Sequence, residues 1–376
     1  MLKQRVHSFL GNIRFQASLR AAEMRSRLIR SQFSDGLIIY KPDGIGDFIL
    51  ALPAINALLE NYKGKIVVVV AQQTADLVAK EFPSLNIASI PGLWTGRKGD
   101  WRKALAALEK SARQYKGWEM VSLRHALGDL DVTFFRMMQP SKSFGIVGWP
   151  LSQGGHAKEW KFTSSLRYPQ KCEEFPLPLE MEAHTRAVRL AMGMPRLNLG
   201  MPSLKSFPLS NKGTIIVFPS TRSRLRNYPV DRLARSLVNA IEGRNLPIVL
   251  CGTKDEMEVL KALKEAICRT SHCQVEVMLP STISEGAEMI ASASCVIAME
   301  SAPAHIAIAL GKPGVFLLGG GHYGYFAPWT TNDKQYWISR QTECRGCNWK
   351  CLYSEPYCIT EITASSIAEA INSSLQ

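Results

Sequence analysis

The 376-residue sequence has no stretch apolar enough to cross a bilayer as a helix, which takes about 20 consecutive apolar residues. Its longest uncharged run, residues 313–332, carries Gly319, Gly320, Gly321 and His322 in the middle and reads as a strand followed by a loop. A secretory h-region is missing as well, because Arg5, Arg14 and Arg20 interrupt every apolar stretch near the start. Aromatic–basic RNP strands and paired zinc-finger ligands, the marks of nucleic-acid modules, are also missing. These absences predict a cytoplasmic protein with no membrane span and no nucleic-acid partner. At 46% apolar and 20% charged residues the chain has the balance of a folded protein, and its length favours two domains.

Lysine and arginine outnumber aspartate and glutamate by 45 to 32, a net charge of +13, but unevenly. In residues 1–34, Lys3, Arg5, Arg14, Arg20, Arg25, Arg27 and Arg30 stand against Glu23 alone. Val6, Phe9, Leu10 and Ile13 fall at helical spacing in the same segment. A basic amphipathic helix suits an anionic membrane surface, here the inner face of the cytoplasmic membrane. The competing expectation is a solvated helix packed on the body of the protein.

Beyond residue 35 short apolar runs alternate with longer amphipathic ones. Strands are expected at 36–41, 65–71 and 119–123, with helices at 47–61, 74–81 and 101–115. A stretch rich in Pro, Gly and polar residues covers 148–209, with one helix near 181–192. A second series follows, with strands at 214–219, 247–251, 274–278, 295–299 and 313–318. Helices fall between them at 231–242, 255–268, 285–292 and 304–310, and a last helix at 363–375. Such alternation predicts an α/β protein with parallel sheets covered by helices. The expected division is a basic segment 1–34, a first domain 35–205 and a second 206–376, with a ligand cleft between the halves.

Four segments could carry chemistry. Lys41-Pro-Asp-Gly-Ile-Gly-Asp47 ends the first strand, where Gly44 and Gly46 let backbone N–H groups approach a ligand. It is not a dinucleotide fingerprint, since Ile49 stands where a third Gly is needed. Asp47 could take a proton from a substrate hydroxyl or simply cap the next helix. Phe218-Pro-Ser-Thr-Arg-Ser-Arg-Leu-Arg-Asn-Tyr-Pro229 sets Arg222, Arg224 and Arg226 beside a helix start, either as a diphosphate site or as solvated charge. Ala298-Met-Glu-Ser-Ala-Pro-Ala-His305 opens another helix, with Ser301 placed to cap it or to meet a phosphate and His305 as a core histidine or a ligand. Nearby, Leu318-Gly-Gly-Gly-His-Tyr-Gly324 could cover a bound anion. Finally, Cys344, Cys347, Cys351 and Cys358 lie within fifteen residues. Cytosolic thiols stay reduced, so the cluster points to a structural zinc, with an iron–sulfur cluster or plain packing as alternatives.

In this order and spacing, the segments resemble glycosyltransferase family 9, the ADP-heptose:lipopolysaccharide heptosyltransferases and their relatives. The carriers are Gly44-Ile-Gly-Asp-Phe-Ile-Leu-Ala-Leu-Pro-Ala54, Phe218-Pro-Ser with Arg226-Asn-Tyr-Pro229, Cys251-Gly-Thr-Lys-Asp255 and Glu300-Ser-Ala-Pro-Ala-His-Ile-Ala307. The likeness covers roughly residues 36–375. It implies two Rossmann-like domains facing across a cleft, the GT-B architecture, with the acceptor on the first and the nucleotide sugar on the second. It implies an inverting, metal-independent transfer of heptose or a related sugar. The donor would be a nucleotide diphosphate sugar, ADP-linked by preference, and the acceptor a lipid-linked glycan such as lipopolysaccharide. No catalytic cofactor is implied, and similar cysteine clusters in relatives support the structural role of zinc. Asp47 matches the catalytic base. Ser220, Thr221, Arg226, Asp255, Glu256, Glu300, Ser301 and His305 match the donor-binding positions. Arg226 stands where Lys is commoner, Glu300 where Asp is usual, and Ala302 replaces a Gly. Those departures keep two alternatives in view, a nucleotide-sugar epimerase and a non-catalytic nucleotide-sugar-binding protein.

Overall fold

The structure, a computed structural model, describes residues 2–29, 36–91, 101–147, 162–169, 177–244 and 246–376. The side chains of residues 2–10, with half of the basic amphipathic pattern, lie outside the described residues, as do 148–161 and 170–176 of the Pro- and Gly-rich stretch. The chain divides into two compact units. The first comprises Met1–Gly44, Ala54–Gln170 and Ala183–Leu199; the second comprises Ile45–Pro53, Lys171–Glu182 and Gly200–Gln376.

In the first unit β1 (Gly36–Lys41), β2 (Lys65–Ala71), β3 (Asn86–Ile90), β4 (Glu119–Ser122), β5 (Ser143–Val147) and β6 (Ser164–Arg167) form one sheet. The order is β3-β2-β1-β4-β5-β6 and every pair is parallel. All six residues of β1 are buried, as a central strand covered on both faces requires. The helices are α1 (Leu2–Arg27), α2 (Ile45–Asn61), α3 (Ala75–Glu81), α4 (Trp101–Tyr115), α5 (Asp129–Met138) and α6 (Leu179–Met192), of which the starts of α2 and α6 fall in the second unit. The outer strands are only partly covered, β3 exposing Asn86 and Ser89 and β6 exposing Ser165 and Arg167, so they lack the apolar run that marks β1.

The described part of α1 packs on the body. Leu19 and Ala22 join the core of the first unit, and Phe15 meets the edge of Trp101 at 5.0 Å. Lys116 Nζ donates to the carbonyls of Ser26 and Ile29, both at 2.7 Å, while Arg25 pairs with Glu109. Arg14, Arg20 and Arg27 remain exposed on the opposite side.

The second unit repeats the plan. Its strands are β7 (Ile215–Phe218), β8 (Ile248–Cys251), β9 (Val275–Met278), β10 (Cys295–Met299), β11 (Gly314–Leu317) and β12 (Gln335–Ile338). They run in the order β12-β11-β10-β7-β8-β9, again all parallel. Helices α7 (Val230–Ile241), α8 (Met257–Cys268), α9 (Ile283–Ser292), α10 (Ala302–Ala309), α11 (Tyr357–Thr360) and α12 (Ala364–Leu375) connect or follow them. In both sheets the first strand lies beside the fourth, which is where the strand order reverses and where the loops after the strands part to leave room for a ligand.

At the carboxyl end of β1 the first unit buries a charged network. Lys41 is fully buried, donates through Nζ to the Leu123 carbonyl at 2.9 Å and pairs with Asp43 Oδ2 at 3.1 Å. Arg124 Nε lies 3.3 Å from Asp131 Oδ2 and 3.9 Å from Asp43 Oδ1, and the Tyr40 hydroxyl donates to Asp131 at 2.5 Å. Removing one member of such a pair strands the other charge in a low-dielectric interior, a loss of about 3–5 kcal/mol. Asp43→Ala is therefore expected to destabilise the protein by about that amount in urea unfolding, and an unchanged unfolding midpoint would show that the pair holds nothing in place.

Candidate functional site

The loops that leave β7, β8, β10 and β11 carry most of the residues singled out by sequence. Ser220, just after β7, donates through Oγ to Glu256 Oε1 at 2.7 Å. Glu256 Oε2 accepts from the Thr253 N–H at 2.7 Å and from its hydroxyl at 2.9 Å, so one carboxylate ties the β7 loop to the β8 loop. Asp255 beside it is exposed, which makes Glu256 the acidic residue that turns inward. Thr221 is committed within its own loop: its N–H donates to Asn227 Oδ1 at 2.7 Å and its hydroxyl to the Ser223 carbonyl at 3.0 Å. Arg222 and Arg224 face solvent, while Arg226 is half-buried.

Glu300 follows β10 and is 3% exposed, an unusual place for a carboxylate. Burial pushes its carboxyl up to about 7; the Arg226 charge and the Gly319 N–H pull it down, and the charge of Asp47 pushes it up again. Its Oε1 lies 4.0 Å from His322 Nδ1. Among the described residues its Oε2 has no hydrogen-bond partner, and neither has Arg226 Nε. Arg226 Nη2 is 3.5 Å from His322 Nδ1, and its guanidinium lies over the Trp349 ring, 5.1 Å from the centroid. A buried acid and a half-buried cation thus meet at the carboxyl end of the second sheet, each with a buried polar atom that no described residue pairs.

The start of α2 reaches the same place, because Ile45–Pro53 belongs to the second unit. Gly46 lies against His305: a Cβ there would stand 2.9 Å from the ring's Cδ2. His305 in turn accepts from the Trp329 indole N–H at Nδ1, 3.0 Å away, so a neutral ring carries its proton on Nε2, the side nearer Gly46. Burial lowers His305 to about 4, which keeps it neutral at physiological pH. It is the buried, partnered core histidine that the sequence offered as one reading, and its outer edge borders Gly46. Ser301 occupies the N-cap position of α10, yet its hydroxyl donates back to the Met299 carbonyl at 3.1 Å and does not cap the helix.

The cysteine cluster corrects one expectation. Among the described residues, no group of three or more His, Cys, Asp or Glu side chains is arranged to hold a metal ion, so Cys344, Cys347, Cys351 and Cys358 do not close a zinc site. Burial, and after it the neighbouring thiols, raise Cys351 and Cys358, but α11 carries Cys358 into the core while the other three stay half-buried on the preceding loop. What that loop does deliver, and what spacing did not reveal, is Asn348 and Trp349 beside His322 and Arg226.

The sequence model of glycosyltransferase family 9 (heptosyltransferase) matches residues 167–352, the span that holds all of these loops except the start of α2. The chain belongs to glycosyltransferase family 9. Solved structures share the fold across almost the whole chain. E. coli ADP-heptose LPS heptosyltransferase II aligns with a TM-score of 0.62 at 17% identity, covering 90% of this chain and 98% of the other. E. coli heptosyltransferase WaaC with ADP aligns at 0.64 and 16%, covering 90% and 99%. A family 9 glycosyltransferase from Veillonella parvula aligns at 0.65 and 13%, covering 92% and 97%. At these identities the likeness establishes the α/β fold that the sequence predicted. No curated protein matches the sequence.

The raised carboxyl of Glu300 makes a measurable claim about this family 9 protein. An unfolded glutamate ionises near 4.5 and the folded one at about 7, so between those values only the folded state holds the proton. Stability therefore falls as pH rises across that window, by about 3 kcal/mol if the whole shift is realised. Urea unfolding of Glu300→Gln at several pH values should lose that slope; a variant with the wild-type slope would place the proton elsewhere.

Proposed function

We propose that the protein is an inverting, metal-independent glycosyltransferase that moves heptose or a related sugar from a nucleotide diphosphate donor, ADP-linked, to a lipid-linked cell-surface glycan such as lipopolysaccharide. The observation that carries this reading is the meeting of Asp47, Glu300 and Arg226 in the second unit, two acids and a cation at the point where the strand order reverses. Family membership supports glycosyl transfer, and the fold shared with heptosyltransferases, one of them solved with ADP, supports the choice of donor.

In this reading Asp47 takes the proton from the acceptor hydroxyl while that oxygen attacks the anomeric carbon. The bond from that carbon to the diphosphate breaks on the opposite face, which inverts the configuration and leaves the electron pair on the diphosphate. Arg226 balances the charge that develops there, in a site dry enough for the interaction to count. Glu300, neutral or charged near pH 7, can donate to or accept from a donor hydroxyl through Oε2. Ser220 and Glu256 hold the β7 and β8 loops that frame the donor. The four cysteines take no part.

A soluble assay separates these roles. Asp47→Asn is expected to lower turnover by about 10²–10⁴-fold, the usual worth of general-base catalysis, while calorimetry shows ADP bound as tightly as by wild type. Undiminished turnover would remove Asp47 from the mechanism. A thermal-shift panel of ADP, UDP, GDP and their sugars identifies the donor, since a ligand at 100 times its dissociation constant adds about 2.7 kcal/mol of stability.

The acceptor chemistry also suits a place on the inner face of the cytoplasmic membrane. The exposed side of α1 carries Arg14, Arg20 and Arg27 together with Ile13, Met24 and Leu28, which are 50%, 66% and 87% exposed. Basic and apolar side chains on one face fit an anionic lipid surface. Because Leu19 and Ala22 are core residues, charge reversal tests this better than deletion. Arg14→Glu, Arg20→Glu and Arg27→Glu together should abolish pelleting with anionic liposomes and leave transfer to a soluble acceptor unchanged; a triple variant that still pellets would refute the anchor.

A further inference from the structure

Asn348 and Trp349 adopt a backbone that their side chains disfavour. Their φ angles are 51° and 59°, two consecutive non-glycine residues in the left-handed region, one of them the bulkiest side chain there is. Such a conformation persists only where the surroundings over-determine it, and it marks places where a side chain must be delivered to a set position. Here backbone hydrogen bonds and a packed ring supply that constraint. Gly346 N–H donates to the Gly320 carbonyl at 2.8 Å and Asn348 N–H to the Gly321 carbonyl at 3.0 Å, which docks the cysteine-rich loop on the glycines that follow β11. The Trp349 ring then lies on Gly319 and Gly321, where a Cβ would come within 2.2 Å and 2.5 Å of it.

Both delivered side chains end at Arg226. The Asn348 carbonyl oxygen accepts from His322 Nε2 at 2.8 Å, which places the proton of a neutral ring on Nε2 and leaves Nδ1 as an acceptor. Arg226 Nη2 stands 3.5 Å from that Nδ1. The opposite tautomer would turn an N–H toward a guanidinium that can only donate. Trp349 presents its ring face to the same guanidinium at 5.1 Å, a cation–π contact. Among the described residues Arg226 Nε has no acceptor, so neither the ring face nor the imidazole satisfies it.

We propose that Asn348 and Trp349 are positioning residues for the donor diphosphate, Asn348 by keeping His322 an acceptor and Trp349 by facing the Arg226 guanidinium, which makes the cysteine-rich loop part of the donor site. This rests on the glycosyl-transfer reading above, and the test keeps the two apart. The dissociation constant of whichever of ADP, UDP and GDP binds tightest is measured by calorimetry for wild type, Trp349→Leu, Trp349→Phe, Arg226→Ala and the Arg226→Ala/Trp349→Leu double variant. Trp349→Leu is expected to weaken binding about tenfold and Trp349→Phe, which keeps a π face, only about twofold. In the Arg226→Ala background the same Trp349→Leu change should do almost nothing, because its effect runs through the missing guanidinium. A merely structural tryptophan would instead weaken binding equally in both backgrounds, and that result, or unaltered binding by Trp349→Leu, overturns the proposal. If Trp349→Leu does not fold, fluorotryptophan-labelled wild type serves: the ¹⁹F line that Trp349→Phe removes must shift when the nucleotide is added, and a line that stays put overturns it equally. A wild type that binds none of the three nucleotides takes down the glycosyl-transfer reading and this inference with it.

Discussion

Arg226 cannot shed its charge, so the edge of the second sheet has to accommodate a permanent cation. It does so with a carboxyl that is only partly ionised near neutrality, a ring face and an imidazole nitrogen. None of these is a bidentate carboxylate partner, the arrangement that would satisfy a guanidinium most completely. The guanidinium therefore keeps a donor, Nε, that no described residue accepts from, and the oxygens of a diphosphate are acceptors of the kind it lacks. Glu300 answers to the same cation: burial raises it and the Asp47 charge adds to the rise, while Arg226 holds it back. Each group's state depends on the other, which is why the acid and the cation must be considered as one feature.

The two sheets have the same topology, and the carboxyl end of the central strand holds buried charge in both, but the outcomes differ. In the first unit Lys41, Asp43, Arg124, Asp131 and Tyr40 pair among themselves. That network anchors the residues leading into Gly44. In the second unit Arg226 Nε and Glu300 Oε2 have no partner among the described residues. Buried polar groups are almost always paired, so unpaired ones at a strand-order reversal are the ones to associate with a ligand. The charged groups of the first network pair with one another, whereas Arg226 and Glu300 each keep a polar atom that no described residue pairs.

Much of this was legible in the sequence, for physical reasons that also explain the gaps. Strands buried on both faces, such as β1, β2, β10 and β11, announce themselves as apolar runs. The partly exposed β3 and β6 do not, because their outer residues are polar, and the four residues of β12 are too few to show a periodicity. Asp47, Glu300 and His305 could be singled out from sequence because each sits just after a strand or in the first turns of a helix, where a ligand would be met. Spacing alone did not say which of Arg222, Arg224 and Arg226 turns inward, since the three share one loop and a short 3₁₀ turn decides their directions; the family resemblance pointed to Arg226. Likewise Asp255 and Glu256 are neighbours in sequence, and only the capping interaction with Thr253 turns Glu256 toward Ser220.

The cysteine-rich loop is where spacing misled, and the reason is instructive. Four cysteines close in sequence imply a metal only if the backbone can bring four sulfurs around one point. Here α11 sends Cys358 into the core beside Gly320, while the loop before it is pinned by backbone bonds to Gly320 and Gly321. Those bonds set the left-handed turn at Asn348 and Trp349, residues with no recognisable spacing signal of their own. The glycines that read as a mobile cover over an anion serve instead as a flat floor for an indole, since any larger residue at Gly319 or Gly321 would collide with it. A loop can thus matter to a site through the residues between its most conspicuous ones, and the contact that decides it is made by backbone.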